Sequence, residues 1–463
     1  MASIIARAYV VVRELCTVGP AVDSVNMRRL FVVALLAFTS FAFSDVQRGD
    51  PLPRKGFLGV QTAPDPKGAK VLRIVPGSSA EKLGLHENDI LTFLNGQPTP
   101  DPQHLVGSAR SIMGGADLSV KFLRDGKEAS ASTKAVPRPL VTEQDLEVVY
   151  DQVLSQGKRI RVIITKPRTE GKHPTLFLVG GIGAYSVDAP FAAAPYGNVI
   201  GPIAHAGYVT VRIDKPGQGD SEGPAYKDLT FKTELDAYVQ ALRLAKTLPY
   251  VDASKIAIFG HSMGGCFGPL VASQEPVKAV IVNGTLFKSW AEYMLENTRR
   301  QSELSGSAAE ALDKEQKNLD AVDHYLFTEG MTPPQVAAKH PELADFLKAT
   351  VPDAETYSGV GIPFFRELSQ INLPEAWKNS NCQVLSIYSE NDFLSGRDDH
   401  ERIATYVNKL RPGTAEFKLL KGIDHGFTKT TSMRDSQERW GKGGDFNPVI
   451  VDTLLEFLKK TLS

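Results

Sequence analysis

Three features of the sequence predict an α/β fold, with a mostly parallel sheet covered by helices on both faces and a small β-rich domain ahead of it. From about Val141 onward, strand-like apolar runs alternate with helical ones, the pattern of a parallel sheet whose strands are joined through helices. One such strand, Lys255 to Phe259, runs directly into Gly260-His261-Ser262-Met263-Gly264 and then a helical stretch from Cys266. Between Pro51 and Pro139, shorter strand patterns are broken by Gly, Pro and Asp.

Composition sets the outer limits. A chain of 463 residues is long enough for two or three domains. Its 52 Lys+Arg against 53 Asp+Glu leave no global field to draw it to nucleic acid or to an anionic membrane. With 42% hydrophobic and 23% charged residues the chain can bury a core and lacks the signature of disorder. The three cysteines, Cys16, Cys266 and Cys382, show neither CxxC nor Cys/His spacing, so neither a disulfide scaffold nor a zinc site is expected. No metal or organic cofactor is implied.

Residues 1–44 read as an upstream stretch followed by a secretory signal. Met27, Arg28 and Arg29 precede the 14-residue apolar run Leu30 to Phe43, and Asp45 is the first acid after it. A spanning helix needs roughly 20 apolar residues, whereas a short greasy run ending in Ala42-Phe43-Ser44 fits a cleaved signal. Met27 is the expected start, Ser44 the last residue removed, and a periplasmic or secreted protein with no stable membrane span the expected product.

The first domain is built around two segments. Gly56-Phe57-Leu58-Gly59 is a glycine-flanked loop; Gly77 to Leu85 reads as a turn and a short helix closed by Gly84, and the alternating run from Asp89 ends at Asn95-Gly96, a strong hairpin signal. Together, over about residues 55–137, they resemble a PDZ domain of the bacterial periplasmic protease type. In that family the loop, here Phe57, Leu58 and Gly59, points backbone N–H groups at a peptide's terminal carboxylate while the peptide adds a strand to the sheet edge. The resemblance thus implies a peptide C-terminus as a partner, with a ligand-free packing module as the alternative.

In the second region the expected strands are Val148 to Tyr150, Arg161 to Thr165, Thr175 to Val179, Tyr208 to Ile213, Lys255 to Phe259, Ala279 to Val282, Val384 to Tyr388 and Phe417 to Leu420. Leu235, Tyr238, Val239 and Leu242 stand at helical spacing and should pack on the sheet. A G-x-S-x-G between strand and helix needs glycines because the turn brings the residues flanking the serine against neighbouring backbone. Ser262 is therefore the candidate nucleophile. A serine hydroxyl needs a base, and the base needs an acid to hold its tautomer. His425 follows the last strand and Asp392 the one before it. Glu390, Asp398, Asp399 and Asp424 compete for the acid role. Asp424 is a poor orienter, since adjacent side chains on extended backbone point to opposite sides. His261 reads as packed beneath the loop, His205 as a helix-end residue, and Cys266 and Cys382 as small buried hydrophobes.

The chain order Ser, Asp, His, with acid and base just past strand ends, resembles the α/β-hydrolase family over about residues 141–463. Phe177 to Gly183 looks like its oxyanion strand and loop, and Asp214-Lys215-Pro216-Gly217-Gln218-Gly219-Asp220-Ser221 like its D-x-x-G-x-G-x-S turn. By that resemblance the N–H groups of Met263 and Ile182 hold the oxyanion. The chain departs from the pattern in a long helix-rich insertion, about residues 286–381, where such folds carry caps; its aromatics, from Phe287 and Trp290 to Trp377, are mostly the cap's own core. The expected function is that of a secreted serine hydrolase cleaving carboxylic esters through an acyl-enzyme. The alternatives are a thioesterase, a serine peptidase of prolyl-oligopeptidase type acting on short peptides, and a non-catalytic PDZ-containing binding protein. Activity should rise with pH through roughly 6.5, the ordinary histidine value.

Overall fold

The computed structural model describes residues 46–463 apart from Ser358. The expected upstream segment and signal, residues 1–44, lie outside the described residues.

The first domain is an antiparallel sheet of β1 (Val60–Asp65), β2 (Gly68–Ile74), β3 (Ile90–Leu94), β4 (Gln97–Pro98), β5 (Asp117–Arg124) and β6 (Lys127–Lys134), in the order β1-β2-β3-β5-β6 with β4 on β3. Leu94 pairs with Gln97 across the Asn95-Gly96 turn, where both residues have positive φ (47° and 78°), as a type I′ hairpin requires. Helices α1 (Ser79–Lys82) and α2 (Pro102–Ala109) are capped by Ser78 and Asp101. Val71, Leu91, Leu94, Leu105, Val120 and Phe122 form a core separate from that of the second domain.

The second domain holds an eight-stranded sheet of β7 (Leu146–Ser155), β8 (Lys158–Pro167), β9 (His173–Val179), β10 (Val209–Ile213), β11 (Val251–His261), β12 (Ala279–Asn283), β15 (Gln383–Ser389) and β16 (Ala415–Leu420), in the order β16-β15-β12-β11-β9-β10-β8-β7. The pairs β7–β8 and β8–β10 are antiparallel and the other five parallel. All eight expected strands are found, and only Tyr208 falls outside its strand.

Period-2 alternation assigns the two faces. Leu176, Leu178, Ala257, Phe259 and Ile281 pack with Val199 and Ile200 of α3 (Gly197–His205) and with Ile450, Leu454 and Phe457 of α14 (Val449–Leu462). Phe177, one residue out of phase, meets Tyr238 of α4 (Phe231–Thr247), and Phe267 of α5 (Gly264–Gln274) stacks on Phe231. The four helical positions read from the sequence lie on α4.

Between β12 and β15 lies the helical insertion: α6 (Trp290–Leu304), α7 (Ala309–Asp323), α8 (Pro333–Lys339), α9 (Ala344–Thr350), a two-residue hairpin of β13 (Thr356–Tyr357) and β14 (Val360–Gly361), α10 (Ile362–Leu368) and α11 (Leu373–Asn379). Ser289 and Thr332 close capping boxes with Glu292 and Gln335, and Pro333 takes the first turn of α8, where its missing N–H costs nothing. Trp290, Phe327, Tyr357 and Phe365 pack on one another, while Phe364 reaches Phe231 and Phe267 and ties the insertion to the sheet helices. After β15 come α12 (Arg397–Leu410) and, beyond β16, α13 (Met433–Arg439).

Candidate active site

Strand β11 ends at His261 and α5 starts at Gly264, so Ser262 occupies a two-residue bend. Its φ is 55°, a left-handed conformation that is strained for a residue with a Cβ. The flanking glycines follow from the same geometry. A Cβ on Gly260 would lie 2.3 Å from the Gly264 carbonyl oxygen, and one on Gly264 would lie 2.0 Å from that of Val179. The bend hangs from the neighbouring strand by a bond from the Ser262 N–H to the Asn283 carbonyl (2.9 Å), and leaves Ser262 partly exposed.

Asp392 and His425 come from the loops after β15 and β16. His425 Nδ1 lies 2.8 Å from Asp392 Oδ2. The carboxylate is fully buried and takes three more donors: the N–H of Leu394 (2.8 Å) and of Ser395 (2.9 Å) on Oδ1, and the Ser395 hydroxyl (2.6 Å) on Oδ2. Burial alone would raise the pKa of Asp392; the imidazole and the donors outweigh it and hold the carboxyl well below its ordinary value. For His425, burial pulls down, but the charge and hydrogen bond of Asp392 win and the pKa is raised.

The segments that carry Ser262 and His425 are tied together through His261. His261 Nε2 donates to the His425 carbonyl at 2.9 Å, and the Tyr196 hydroxyl lies 3.0 Å from His261 Nδ1, which makes His261 a neutral spacer. Burial and the nearby His425 push its pKa down to about 3. Gly284 (φ 66°) has no side chain because a Cβ there would lie 2.8 Å from the His425 ring. Among the described residues no hydrogen bond joins Ser262 Oγ to His425.

The glycine loop 180–183 passes over Ser262; a Cβ on Gly181 would be 3.4 Å from its Oγ. The N–H groups of Gly181 and Gly183 are taken by the hydroxyls of Tyr196 (2.8 Å) and Tyr226 (2.6 Å). Among the described residues the N–H groups of Ile182 and Met263 have no protein acceptor.

The other candidates are engaged elsewhere. Glu390 accepts from Gly422 N–H, Asp424 from Thr428 N–H and the Ser436 hydroxyl, and Asp399 from Phe287 N–H. Asp398, Asp399 and Glu296 converge, but the Lys288 ammonium already sits among them, 3.2 Å from Asp399 and 3.3 Å from Asp398. Cys266 and Cys382 are buried thiols whose pKa values burial pushes up to about 12 and about 11. His205 ends α3. Tyr196, Tyr226 and Lys215, which support the glycine loop, escaped the sequence reading. Only Lys215 stood in a recognised motif.

In the first domain a cavity of about 310 Å³ runs between the loop Gly56–Gly59 with β1 and the α2 residues Leu105, Val106 and Ala109, with Gly217 and Gly219 of the second domain in its wall. The loop departs from expectation at Phe57, whose N–H is bonded to the Val136 carbonyl (2.7 Å). The segment after β6 thus occupies that donor, and among the described residues only the N–H groups of Leu58 and Gly59 lack an acceptor in this loop.

The family model of the alpha/beta hydrolase fold matches residues 174–411, just over half of the chain. The chain belongs to the alpha/beta hydrolase family. The PDZ domain model matches residues 56–135 of this hydrolase. It is similar to a probable dipeptidyl peptidase 4 of Neosartorya fischeri, 30% identical over 187 residues (38% of this chain, 24% of that protein). Esterase FrsA of Photobacterium profundum is 29% identical over 123 residues, 27% of each chain. A probable periplasmic serine endoprotease, DegP-like, of Rhizobium meliloti is 32% identical over 90 residues, 17% of this chain and 18% of that protein. The hydrolase thus spans about a quarter or less of the length of these curated relatives.

Proposed function

We propose that this protein is a secreted or periplasmic serine hydrolase that cleaves carboxylic esters through an acyl-enzyme on Ser262. The observation that carries the proposal is the buried Asp392–His425 pair at 2.8 Å beside a serine held at a strained φ. In this reading His425 takes the hydroxyl proton as Oγ attacks the ester carbonyl, and the N–H groups of Ile182 and Met263 receive the resulting oxyanion. The C–O bond to the alcohol then breaks, and His425 passes the proton to the departing oxygen. Water enters, gives its proton to the same imidazole and cleaves the acyl-enzyme, which releases the acid and restores Ser262. The bond from Oγ to the imidazole forms when substrate is bound, as catalytic hydrogen bonds often tighten only then.

A peptidase reading draws support from the dipeptidyl peptidase 4 relative. The ester reading is preferred because the described residues ahead of the hydrolase sheet form a small PDZ sheet and no repeated blades of a propeller. Secretion is supported by the charged-then-apolar sequence at 27–44; among the described residues no helix is long and apolar enough to cross a membrane. The PDZ groove is proposed to receive a peptide C-terminus.

The test is fluorophosphonate labelling of wild type and of Ser262→Ala, followed by a panel of nitrophenyl esters and aminoacyl anilides. Labelling of the wild type alone, with ester turnover, is expected. An unlabelled wild type would favour a non-catalytic binding protein, and anilide turnover above ester turnover would favour the peptidase.

A further inference from the structure

The turn after β10 carries a cation that the reaction above leaves unused. Lys215 is buried, and its Nζ lies 2.9 Å from Oε1 of Glu234, a buried residue on α4. The same Nζ donates to the carbonyl oxygen of Gly181 at 2.6 Å. The ring of Tyr185 stands 5.1 Å from the ammonium, and its hydroxyl donates to that same carbonyl oxygen at 2.9 Å. The backbone oxygen of buried Gly181 thus collects an ammonium and a phenol.

The Gly181 carbonyl and the Ile182 N–H belong to one planar peptide group. Electron density drawn onto the oxygen of an amide is withdrawn from its nitrogen, so donors on the C=O side make the N–H a stronger donor, and chains of hydrogen bonds strengthen one another in this way. The neighbouring N–H groups, on Gly181 and Gly183, are already tied to tyrosines. The polarisation is therefore delivered to the amide between them. A buried ion pair is weak evidence for a stabilising role, because uncharged residues can often replace it with little loss.

We infer that Lys215 is a positioning residue for the oxyanion site: its ammonium, balanced by Glu234, fixes and polarises the Gly181–Ile182 peptide so that Ile182 N–H binds a developing oxyanion more strongly than an ordinary amide. Tyr185 does the same from the second lone pair. The inference rests on the reading of Ser262 as nucleophile and Ile182 as oxyanion donor.

The test compares wild type, Lys215→Met combined with Glu234→Gln, and Tyr185→Phe. The paired change avoids an unpaired buried carboxylate; Tyr185→Phe removes one hydroxyl and decides the matter alone should the pair not fold. With 4-nitrophenyl acetate, kcat is expected to fall about tenfold in the double variant and about threefold in Tyr185→Phe, with KM within about twofold of wild type, since weakening an oxyanion donor costs less than deleting one. Inhibition by phenylboronic acid, whose serine adduct carries an oxygen at the oxyanion position, should weaken by the same factors. Unchanged boronate affinity in folded variants, or a loss confined to KM, would overturn the role of Lys215. Fluorophosphonate labelling separates this from the larger reading: an unlabelled wild type removes the serine hydrolase, whereas a labelled wild type with unaltered variants removes only the polarised peptide.

Discussion

Asp392 presents one oxygen, Oδ2, to both the Nδ1 of His425 (2.8 Å) and the hydroxyl of Ser395 (2.6 Å), while Oδ1 accepts two backbone N–H groups. An asparagine in its place has a single carbonyl for four donors. Whichever way the amide turns, its NH₂ faces at least one of them. Asp392→Asn is expected to lower kcat by about 10⁴, through the wrong imidazole tautomer, and to cost about 1 to 3 kcal/mol of stability for the donors left without an acceptor. Ester kinetics and urea unfolding on the same preparation check both numbers.

The acid limb of the pH profile moves away from the ordinary histidine value. Because His425 is raised overall, despite its burial, it holds its proton to higher pH, and the neutral base that the reaction needs appears later. The rise in kcat/KM is expected above pH 6.5, higher than the sequence alone implied. His261 at about 3 and His400 at about 4, both lowered by burial, stay neutral across that range and do not contribute. In Asp392→Asn the limb should drop, because the attraction that raises it is gone. A limb at 6.5 or below in the wild type would contradict the account.

Two glycines of α5 are predicted to differ sharply. Gly264→Ala forces a Cβ to within 2.0 Å of the Val179 carbonyl on a central strand, where neither backbone can yield. A loss of more than about 3 kcal/mol, or no folded protein, is expected. One turn on, a Cβ at Gly268 would meet a Val280 methyl at 3.3 Å and an Ile258 methyl at 3.7 Å, side chains rather than backbone, and the gain in helix propensity offsets the crowding, so Gly268→Ala should change stability by less than about 1 kcal/mol. Thermal melts of the two variants side by side test the contrast.

Those glycines also show why this site was legible. Steric demands of a tight bend leave their mark on residues adjacent in sequence, and the order of the candidate residues Ser262, Asp392 and His425 is written in positions just past strand ends. The supports of the glycine loop are not local. Tyr196 and Tyr226 reach it from separate loops, and nothing in their own neighbourhoods marks them. Lys215 sat at a variable position of a motif recognised by its fixed acid, glycines and serine, so nothing in that pattern assigned it a role. At Phe57 the error had the same source, since its N–H is claimed by Val136, far along the chain. The direction of the His425 shift required weighing burial against a buried partner, which no spacing encodes.

Arg54, on the segment leading into the PDZ sheet, reaches into the hydrolase domain. Its Nη1 pairs with Asp220 and lies 2.7 Å from Asp188, and both carboxylates are buried. Lys55 N–H donates to Asp220 as well (2.9 Å). Removing the cation leaves Asp220 with Arg161 at 3.5 Å, and Asp188 with Arg138 at 4.0 Å and the Tyr150 hydroxyl, so the expected cost lies below the about 3 to 5 kcal/mol of a fully broken buried pair. Arg54→Met is therefore expected to destabilise the hydrolase domain itself, although the residue lies outside its sheet. Urea unfolding followed by ester hydrolysis should show the activity midpoint falling with the variant, and an unmoved midpoint would mean the contact is worth nothing.

Beside that contact, the groove between the loop Gly56–Gly59 and α2 has an apolar wall of Leu105, Val106 and Ala109 and three cations, Lys55, Arg110 and Arg138, around it. With the N–H groups of Leu58 and Gly59 also without acceptors, a terminal carboxylate has donors and charge to meet, and an apolar last side chain has a surface to cover. Peptides ending in Val or Leu should bind with a free carboxylate about tenfold or more tightly than as amides, because hydrogen bonds to a charged group are worth roughly 1.5 to 3 kcal/mol. Since part of the attraction is ionic, raising salt from 50 to 500 mM should narrow the gap without closing it. Fluorescence anisotropy on the full chain measures both. Equal affinity for acid and amide would leave the groove as a packing feature of the two-domain unit.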